Sequence, residues 1–256
     1  MKMVFCDIDG TLYRDNEQIS PLNKEALTRF HDAGGQVVYC TGRHILEMNK
    51  ILEQDGYPFD YLVLNNGGAI LDSNKETLYE KHIEQSIGLD ILQWGVEANM
   101  FVHMCDGKNS YGCFNHQSFA HSDMGNIPIP DDYMTLMKES PSFQIISLNQ
   151  EDNQIDRINI IKKRIEDKYG DDVECHPNFL DIVPNNCSKG SGVTYLKDKT
   201  NAITYTIGDS WNDLSMIEAG DHGCTFNYAH DDIQEKADYI YSYVYEMIDD
   251  ILGGKI

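Results

Sequence analysis

Short apolar runs alternate with amphipathic segments over the first third of the chain. The runs contain β-branched and aromatic side chains at the density typical of buried strands. The segments between them carry apolar residues at helical spacing, and Ser20 and Pro21 supply an N-cap and a first-turn residue. This alternation predicts parallel strands joined by helices. The predicted strands are 2–6, 36–40 and 61–64, and the predicted helices are 20–35 and 43–56.

The pattern changes near Tyr79 and returns near Pro184. Between these points strand-like pieces bracket two helical segments, which is typical of an α+β unit with an antiparallel sheet. We therefore predict an α/β fold, with a doubly wound parallel-sheet (Rossmann-like) core formed by 1–79 and 185–256 and an inserted domain at 80–184. The later predicted strands are 100–105, 110–114, 143–148, 173–176, 179–184, 202–208 and 222–227, and the later helices are 83–98, 150–170, 189–199 and 212–220.

The net charge of the chain restricts the classes of binding partner that we expect. The 42 acidic and 20 basic residues give a formal net charge of -22. Such a surface repels nucleic acid and anionic lipid, so we expect neither as a partner. The segment before Asp7 is too short for a signal peptide or a membrane span, and we expect a cytoplasmic protein. The seven cysteines form no C-x-x-C pair and are interpreted as reduced core residues.

Two carboxylates follow the first predicted strand, in the stretch VFCDIDGT. In an extended chain Asp7 and Asp9 point to one side and Ile8 to the other. Ligands of open α/β sheets bind beyond the carboxyl ends of the strands, and two close anions favour a bound cation such as Mg2+. The alternative is a turn with solvated acids, because Asp and Gly favour turns.

Three further segments place polar residues where a parallel strand ends or a helix begins. Thr41 and Gly42 follow the second strand, although Thr41 could simply cap the next helix. Lys189 begins a helix, where it could also be an ordinary surface lysine. The stretch GDSWND places Asp209 after a strand and both Asn212 and Asp213 in the first turn of a helix, where acids are favourable even without a ligand. Their joint occurrence favours one shared site.

These motifs resemble those of a known family. The order D-I-D-G-T-L, C-T-G-R, K-G and G-D-S-W-N-D is similar to the four motifs of the haloacid dehalogenase (HAD) superfamily of aspartate-nucleophile phosphatases. The insertion resembles the large cap (type IIB, C2B) of its Cof-type branch. The resemblance covers nearly the whole chain and implies a phosphoric monoester hydrolase. The dehalogenase branch proper is disfavoured, because it has no use for an acid at Asp9 or for a metal.

The resemblance also implies a role for each motif residue. Asp7 attacks phosphorus, and Asp9 acts as general acid to the leaving group and then as base to water. Asp209 binds Mg2+ together with Asp7 and the carbonyl of Asp9. The residues that bind the phosphoryl group are Thr41, the backbones of Ile8 and Gly42, Lys189 and Asn212. Asp213 orients the lysine or a metal-bound water.

Other polar residues are left outside the predicted site. The Asn66-Gly67 pair lies between two apolar runs, and a hairpin explains it sufficiently. Polar residues of the insertion each have a structural explanation as edge or surface positions, and we assign none of them to the site: His103, Asp106, Asn109, Tyr111, His116 and His121. The expected substrate is a small phosphorylated metabolite, with sugar phosphates favoured. A phosphomannomutase-like mutase and a non-catalytic metabolite- or metal-binding protein are the alternatives.

Overall fold

The chain divides into two compact units in the computed structural model. Residues 1–14, 18–56, 58–114, 117–118, 138–149, 155–176 and 180–256 are described. The first unit comprises Met1–Gly42, Ile51–Tyr79 and Ser188–Ile256, and the second comprises Arg43–Lys50 and Glu80–Cys187. The assignment of residues 1–79 and 185–256 as the core domain and 80–184 as a cap domain stays a prediction.

The first unit contains an eight-stranded sheet. Its strands are β1 (Lys2–Cys6), β2 (Gln36–Cys40), β3 (Tyr61–Leu64), β4 (Ala69–Asp72), β5 (Thr77–Glu80), β14 (Ile203–Ile207), β15 (His222–Phe226) and β16 (Tyr239–Tyr241). The spatial order is β16-β15-β14-β1-β2-β3-β4-β5. The pairs from β16 to β3 are parallel, whereas β3 and β4 form an antiparallel hairpin. Apolar side chains on this sheet pack against its helices, as in the cluster of Phe5, Val38 and Val193.

The register of the central strands decides where the motif residues meet. Cys6 at the end of β1 lies opposite Ile207 of β14 on one side and Tyr39 of β2 on the other. The carboxyl ends of three parallel strands therefore share one edge of the sheet. Asp7, Thr41 and Asp209, which follow these strands within two residues, are brought to that edge.

The helices of the first unit follow the expected signals. They are α1 (Pro21–Asp32), α5 (Lys189–Thr200), α6 (Leu214–Ala219), α7 (Asp231–Gln234) and α8 (Val244–Leu252). Helix α2 (Ile45–Asp55) is divided, with its residues up to Lys50 in the second unit and the rest in the first. Ser20 caps α1 as predicted. Ser188 caps α5 through a reciprocal bond with Ser191, which fixes the first turn of α5 and with it Lys189.

The second unit is built on antiparallel pairs. Its strands are β6 (Ile83–Glu84), β7 (Phe101–Cys105), β8 (Ser110–Phe114), β9 (Gln117–Ser118), β10 (Ser142–Phe143), β11 (Ile145–Asn149), β12 (Val173–His176) and β13 (Leu180–Pro184). Six of them form a sheet in the order β12-β13-β11-β7-β8-β9, and β6 pairs with β10. Helices α3 (Gln85–Glu97) and α4 (Ile155–Tyr169) contribute Ile91 and Ile165 to its buried core, with Met104 and Ile146 from the strands.

The predicted α/β fold class is confirmed, with some corrections to the elements. Asn212 and Asp213 lie in a 3-10 turn (Trp211–Asp213) before α6 rather than in its first turn. The sequence prediction missed several elements, among them β5, β16 and α8. Residues 150–154 of the predicted long helix, and the candidates His116 and His121, lie outside the described residues.

Two further expectations concern the described residues alone. Six cysteines are free, and all of them except the half-buried Cys175 are buried, as predicted for reduced core residues: Cys6, Cys40, Cys105, Cys175, Cys187 and Cys224. Within the described part of the chain, no helix combines the length and apolar character that crossing a membrane requires.

The cap of α5 gives a test of how Lys189 is held. The Ser188 hydroxyl accepts a hydrogen bond from the Ser191 amide at 3.1 Å. Ser188→Ala should therefore lower the free energy of unfolding in urea by about 1 kcal/mol, and Ser188→Thr should keep most of the stability. Ser73, an exposed turn residue, is the matched control. A loss in Ser188→Ala no larger than in Ser73→Ala would contradict this assignment.

Candidate active site

Asp7 lies in the turn that follows β1. Its backbone amide donates to the Ile207 carbonyl at 3.1 Å, which extends the pairing of β1 with β14 by one residue. The chain then turns, with Tyr13 N donating to Ile8 O at 2.8 Å and Gly10 N to Tyr13 O at 3.0 Å. The Asp7 side chain is only 3% exposed, and Ile8 is fully buried beside it.

Asp9 occupies a different environment from the one expected. Asp7 is buried, whereas Asp9 is exposed, so the two carboxylates do not share one environment. The physical reason is that β1 ends at Cys6, so the alternation of an extended strand no longer applies at Asp9. The third carboxylate of the buried group is Asp213 instead.

Lys189 joins two of the buried acids. Its Nζ atom lies 2.6 Å from Asp7 Oδ1 and 2.6 Å from Asp213 Oδ1, and its side chain is 1% exposed. Burial alone would lower the pKa of Lys189, but the negative charges of Asp213 and Asp7 outweigh it and raise that pKa above its ordinary value. Lys189 is therefore a buried ammonium at neutral pH, not a surface lysine.

Asp213 is fully engaged by the protein. Its Oδ2 atom accepts hydrogen bonds from the Asp209 amide at 3.0 Å and the Ser210 amide at 2.9 Å, while Oδ1 binds Lys189. Gly208 allows this approach, because a Cβ atom there would lie 2.4 Å from the Asp213 carboxyl carbon. Asp213 thus ties the end of β14 to the start of α5.

Asp209 is held by the turn after β1. Its Oδ1 atom accepts a hydrogen bond from the Thr11 hydroxyl at 2.9 Å. Gly10 has a φ of +86°, and a Cβ atom there would lie 2.5 Å from Asp209 Oδ2. Only glycine fits this close approach in that backbone conformation. The carboxylate of Asp209 therefore lies directly against Gly10 and the Thr11 hydroxyl.

The three acids form a cluster whose donor set suits a hard cation. One carboxylate oxygen from each of Asp7, Asp209 and Asp213 lies within 4.8 Å of the others. Asp7 Oδ2 is buried and has no hydrogen-bond partner among the described residues. A buried carboxylate oxygen without a partner is costly unless a cation or a donor from a ligand fills the position.

The pKa shifts of the metal-free cluster also favour a bound cation. Burial, followed by the negative charge of Asp213, raises the pKa of Asp7, and Lys189 opposes this rise. Burial and Asp213 likewise raise the pKa of Asp209 to about 6, against the lowering effect of the Thr11 hydroxyl. A cation at the cluster would oppose both rises, because opposite charge favours ionised carboxylates.

The remaining predicted residues lie beside the hairpin of β3 and β4. Thr41 is 1% exposed, its amide donates to Val63 O at 2.9 Å, and its carbonyl accepts from Asn66 N at 3.1 Å. Thr41 is not the cap of α2, which begins four residues later. The amide side chain of Asn66 contacts Gly42 and accepts from Asn212 Nδ2 at 3.2 Å.

Asn66 is the residue that sequence reasoning missed. The hairpin prediction for the Asn66-Gly67 turn is correct, since β3 and β4 pair antiparallel across it. The same turn also places Asn66, with a left-handed φ of 48°, against Asn212. Asn65 and Asn66 are both buried, which an ordinary two-residue hairpin turn does not require. The two consecutive asparagines were therefore the sequence feature that could have indicated a role in the site.

Comparisons with known proteins identify the family. A family model described as haloacid dehalogenase-like hydrolase matches residues 4–247. The chain is 25% identical over 267 residues to the 5-amino-6-(5-phospho-D-ribitylamino)uracil phosphatase YwtE of Bacillus subtilis, covering 94% of this chain and 92% of that protein. The chain belongs to the haloacid dehalogenase-like hydrolases. The predicted family and the enzyme class of a HAD-like phosphatase are confirmed.

Solved structures of this hydrolase family share its fold. A haloacid dehalogenase-like hydrolase from B. subtilis has a TM-score of 0.86 at 23% identity, covering 97% of this chain and 99% of that chain. A sugar phosphatase of HAD subclass IIB has a TM-score of 0.76 at 19% identity, covering 100% of both chains.

Polar candidates in the second unit of this hydrolase have structural partners. Asp106 Oδ1 accepts from the amides of Lys108 at 2.8 Å and Asn109 at 2.6 Å, and Oδ2 accepts from Tyr111 Oη at 3.0 Å. These bonds hold the turn between β7 and β8 closed. His103 Nε2 lies 2.6 Å from Ser110 Oγ. Asp106, Tyr111 and His103 therefore have hydrogen-bond partners within the second unit, and the prediction that they lie outside the site stays a prediction.

The raised pKa of Asp209 gives a pH-dependent stability test. An aspartate that titrates near 3.8 when unfolded and near 6 when folded makes the folded HAD hydrolase bind more protons between these values. Its contribution to the free energy of unfolding therefore falls as pH rises from about 4 to 6. In chelator, Asp209→Asn should lack this fall and gain about 1–3 kcal/mol relative to wild type between pH 4 and 7.

The measurement is urea unfolding of both proteins at each pH, with the exposed Asp32→Asn as the control. Taking the difference from wild type cancels the titration of groups that do not interact with Asp209, such as the buried His44, whose pKa burial lowers to about 4. Loss of the Asp209 charge also lowers the raised pKa of Asp7, which adds to the expected gain in the same direction. If the free energy of unfolding of wild type and of Asp209→Asn changed in parallel with pH, the assignment of a raised pKa to Asp209 would be contradicted.

Proposed function

We propose that this hydrolase is a Mg2+-dependent phosphatase that acts on small phosphorylated metabolites, sugar phosphates in particular, through an aspartyl-phosphate on Asp7. One observation carries the proposal. Lys189 holds Asp7 Oδ1 at 2.6 Å while Oδ2 is buried without a partner among the described residues. A carboxylate oriented in this way has one oxygen available for an electrophile.

Asp7 is the proposed nucleophile. Attack by a carboxylate on a phosphate ester splits hydrolysis into two steps, formation and hydrolysis of an acyl phosphate. Phosphoryl transfer needs in-line positioning and compensation of negative charge more than covalent rearrangement. Lys189 supplies a fixed positive charge for this purpose, and its bond to Asp213 keeps it in place.

Asp7, Asp209 and the backbone carbonyl of Asp9 are proposed to hold Mg2+. When bound, the metal neutralises charge that would otherwise repel the attacking carboxylate from the phosphoryl group. Asp213 is not proposed as a ligand, because Lys189 and two backbone amides already occupy its oxygens. Its proposed role is to orient Lys189.

Asp9 is proposed to move the proton. It donates to the leaving alkoxide and then removes a proton from the water that hydrolyses the acyl phosphate. Its exposed side chain supports this role, because a general acid must reach a leaving group outside the buried cluster. The phosphoryl oxygens are proposed to bind Thr41, the backbones of Ile8 and Gly42, and Asn212.

The substrate class rests on the relatives. YwtE, a relative along nearly the whole chain, is named for a phosphorylated ribityl compound, which supports a polyol or sugar phosphate here. The cytoplasmic location stays a prediction. The exclusion of nucleic acid and membrane as partners also stays a prediction, based on the net charge of -22.

A phosphomutase is less well supported. A mutase must bind a second phosphate, which normally requires arginines. The only two arginines of residues 80–184 are engaged elsewhere: Arg157 donates to the Ala98 carbonyl at 3.4 Å, and Arg164 stacks 4.1 Å above the Trp94 ring. A non-catalytic binding protein is also less well supported, because every residue required for turnover is present.

Loss of the nucleophile tests the proposal directly. Asp7→Asn should reduce phosphate release from a panel of phosphorylated sugars at least about a thousandfold, because an amide cannot form the acyl phosphate. The exposed Asp198→Asn is the matched control and should keep wild-type rates. Phosphate release that survives Asp7→Asn would refute the mechanism, and isomerised sugar that depends on a bisphosphate activator would instead favour the mutase.

Removal of the metal tests the cluster. Chelator should abolish phosphate release and Mg2+ should restore it. Mg2+ should also raise the unfolding temperature of wild type by relieving repulsion between Asp7 and Asp209, and it should raise that of Asp209→Asn much less. Activity in chelator equal to that in Mg2+, or equal thermal shifts in both proteins, would show that the cluster does not hold the metal.

A further inference from the structure

A tyrosine from the far end of the chain contacts the turn that carries the two motif aspartates. The Tyr228 hydroxyl donates to the Gly10 carbonyl at 2.6 Å, across 218 positions of sequence. Tyr228 follows β15, and it is 38% exposed. Neither the motif order nor the proposed chemistry assigns a function to this residue.

The ring of Tyr228 contacts two other side chains. It stacks on the buried Phe226, with ring centroids 4.9 Å apart and an interplanar angle of 17°. The Arg14 guanidinium carbon also lies 3.7 Å from its centroid, and Arg14 Nη1 donates to the Ser242 carbonyl at 2.9 Å. The tyrosine is therefore pre-oriented, so that little side-chain entropy is lost in holding its hydroxyl at Gly10.

Gly10 is the point where this contact can influence the acidic cluster. The Gly10 backbone rests on the carboxylate of Asp209, and the next residue, Thr11, donates to the same carboxylate at 2.9 Å. A shift of the Gly10 peptide would therefore displace Asp209 or break its bond with Thr11. The adjacent Asp9 carbonyl, which belongs to the neighbouring peptide, would move with it.

We propose that Tyr228 is a positioning residue of the active site: with Arg14 stacked on its ring, its bond to Gly10 fixes the 8–13 turn against Asp209 and thereby sets the affinity of the cluster for a divalent cation. This role rests on the proposed function. Tyr228 does not touch the carboxylates, so it acts through the backbone of the turn.

Tyr228→Phe removes only the hydroxyl and keeps the stacked ring. Tyr195→Phe is the control, because the Tyr195 hydroxyl also donates to a backbone carbonyl, that of Leu78 at 3.0 Å, away from the turn. The Tyr195 bond is part-buried, whereas the Tyr228 bond is exposed. The first readout is the Kd for Mg2+ alone, measured by calorimetry. We expect about a threefold to tenfold weaker Kd in Tyr228→Phe, the range for loss of one hydrogen bond, and a wild-type Kd in Tyr195→Phe.

A second readout does not depend on metal or substrate. In the metal-free protein, the amides of Gly10 and Tyr13, which close the turn, should exchange hydrogen about threefold to tenfold faster in Tyr228→Phe. Arg14→Met, which keeps the stem but loses the guanidinium, should change both quantities in the same direction. At saturating Mg2+, kcat in Tyr228→Phe should return close to that of wild type.

The outcomes separate the two proposals. Unchanged Kd and unchanged exchange in Tyr228→Phe, or equal changes in Tyr195→Phe, would overturn the positioning role and leave the phosphatase proposal standing. A wild-type protein that neither binds Mg2+ nor releases phosphate would overturn the proposed function. In that case faster exchange at Gly10 and Tyr13 alone would still support the contact but overturn its effect on a metal.

Discussion

The buried ion triad of Asp7, Lys189 and Asp213 is the interaction on which the rest of the site depends. All three side chains are at most 4% exposed. Burying one lysine between two carboxylates is tolerable only because each charge has a close partner and the second oxygen of Asp213, Oδ2, accepts hydrogen bonds from two backbone amides. The triad leaves an excess negative charge, which fits a site that awaits a cation and an electrophile.

The fold provides this arrangement by bringing distant segments to one sheet edge. Asp7 and Asp209 follow the neighbouring parallel strands β1 and β14, and Lys189 begins α5 behind a serine cap. Two glycines then allow the carboxylates to approach the backbone closely: Gly10 lies against the Asp209 carboxylate and Gly208 against that of Asp213. The local backbone is therefore specified by the same short motifs that carry the charged groups.

Much of this organisation could be predicted from the sequence because it is local. Strands β1, β2 and β3 are almost entirely apolar runs, and each motif residue follows within a few positions of a strand end or helix start. The end of β1 at Cys6 was predicted, but the exposure of Asp9 was not, because it depends on how the chain turns after the strand, through the Tyr13–Ile8 hydrogen bond. The contacts of Asn66 with Asn212 join segments 146 positions apart and leave no local periodic signal.

The missed elements differ in how predictable they were. Helix α8 buries Val244, Met247, Ile248 and Ile251, a helical spacing that was present in the sequence. Strand β16 has three residues, too few to carry a period-two signal. The Tyr228–Gly10 contact depends on the tertiary fold alone, since nothing near either residue in the sequence indicates the other.

Rapid mixing with an aryl phosphate, an acid quench within one turnover and peptide mass spectrometry would test the central role of Asp7 most directly. Our mechanism predicts one added phosphoryl group on the peptide that contains Asp7, fragmenting to that residue, and its disappearance as phosphate is released. Phosphate release in the first turnover with no phosphorylated Asp7, or with the group on another residue, would contradict it.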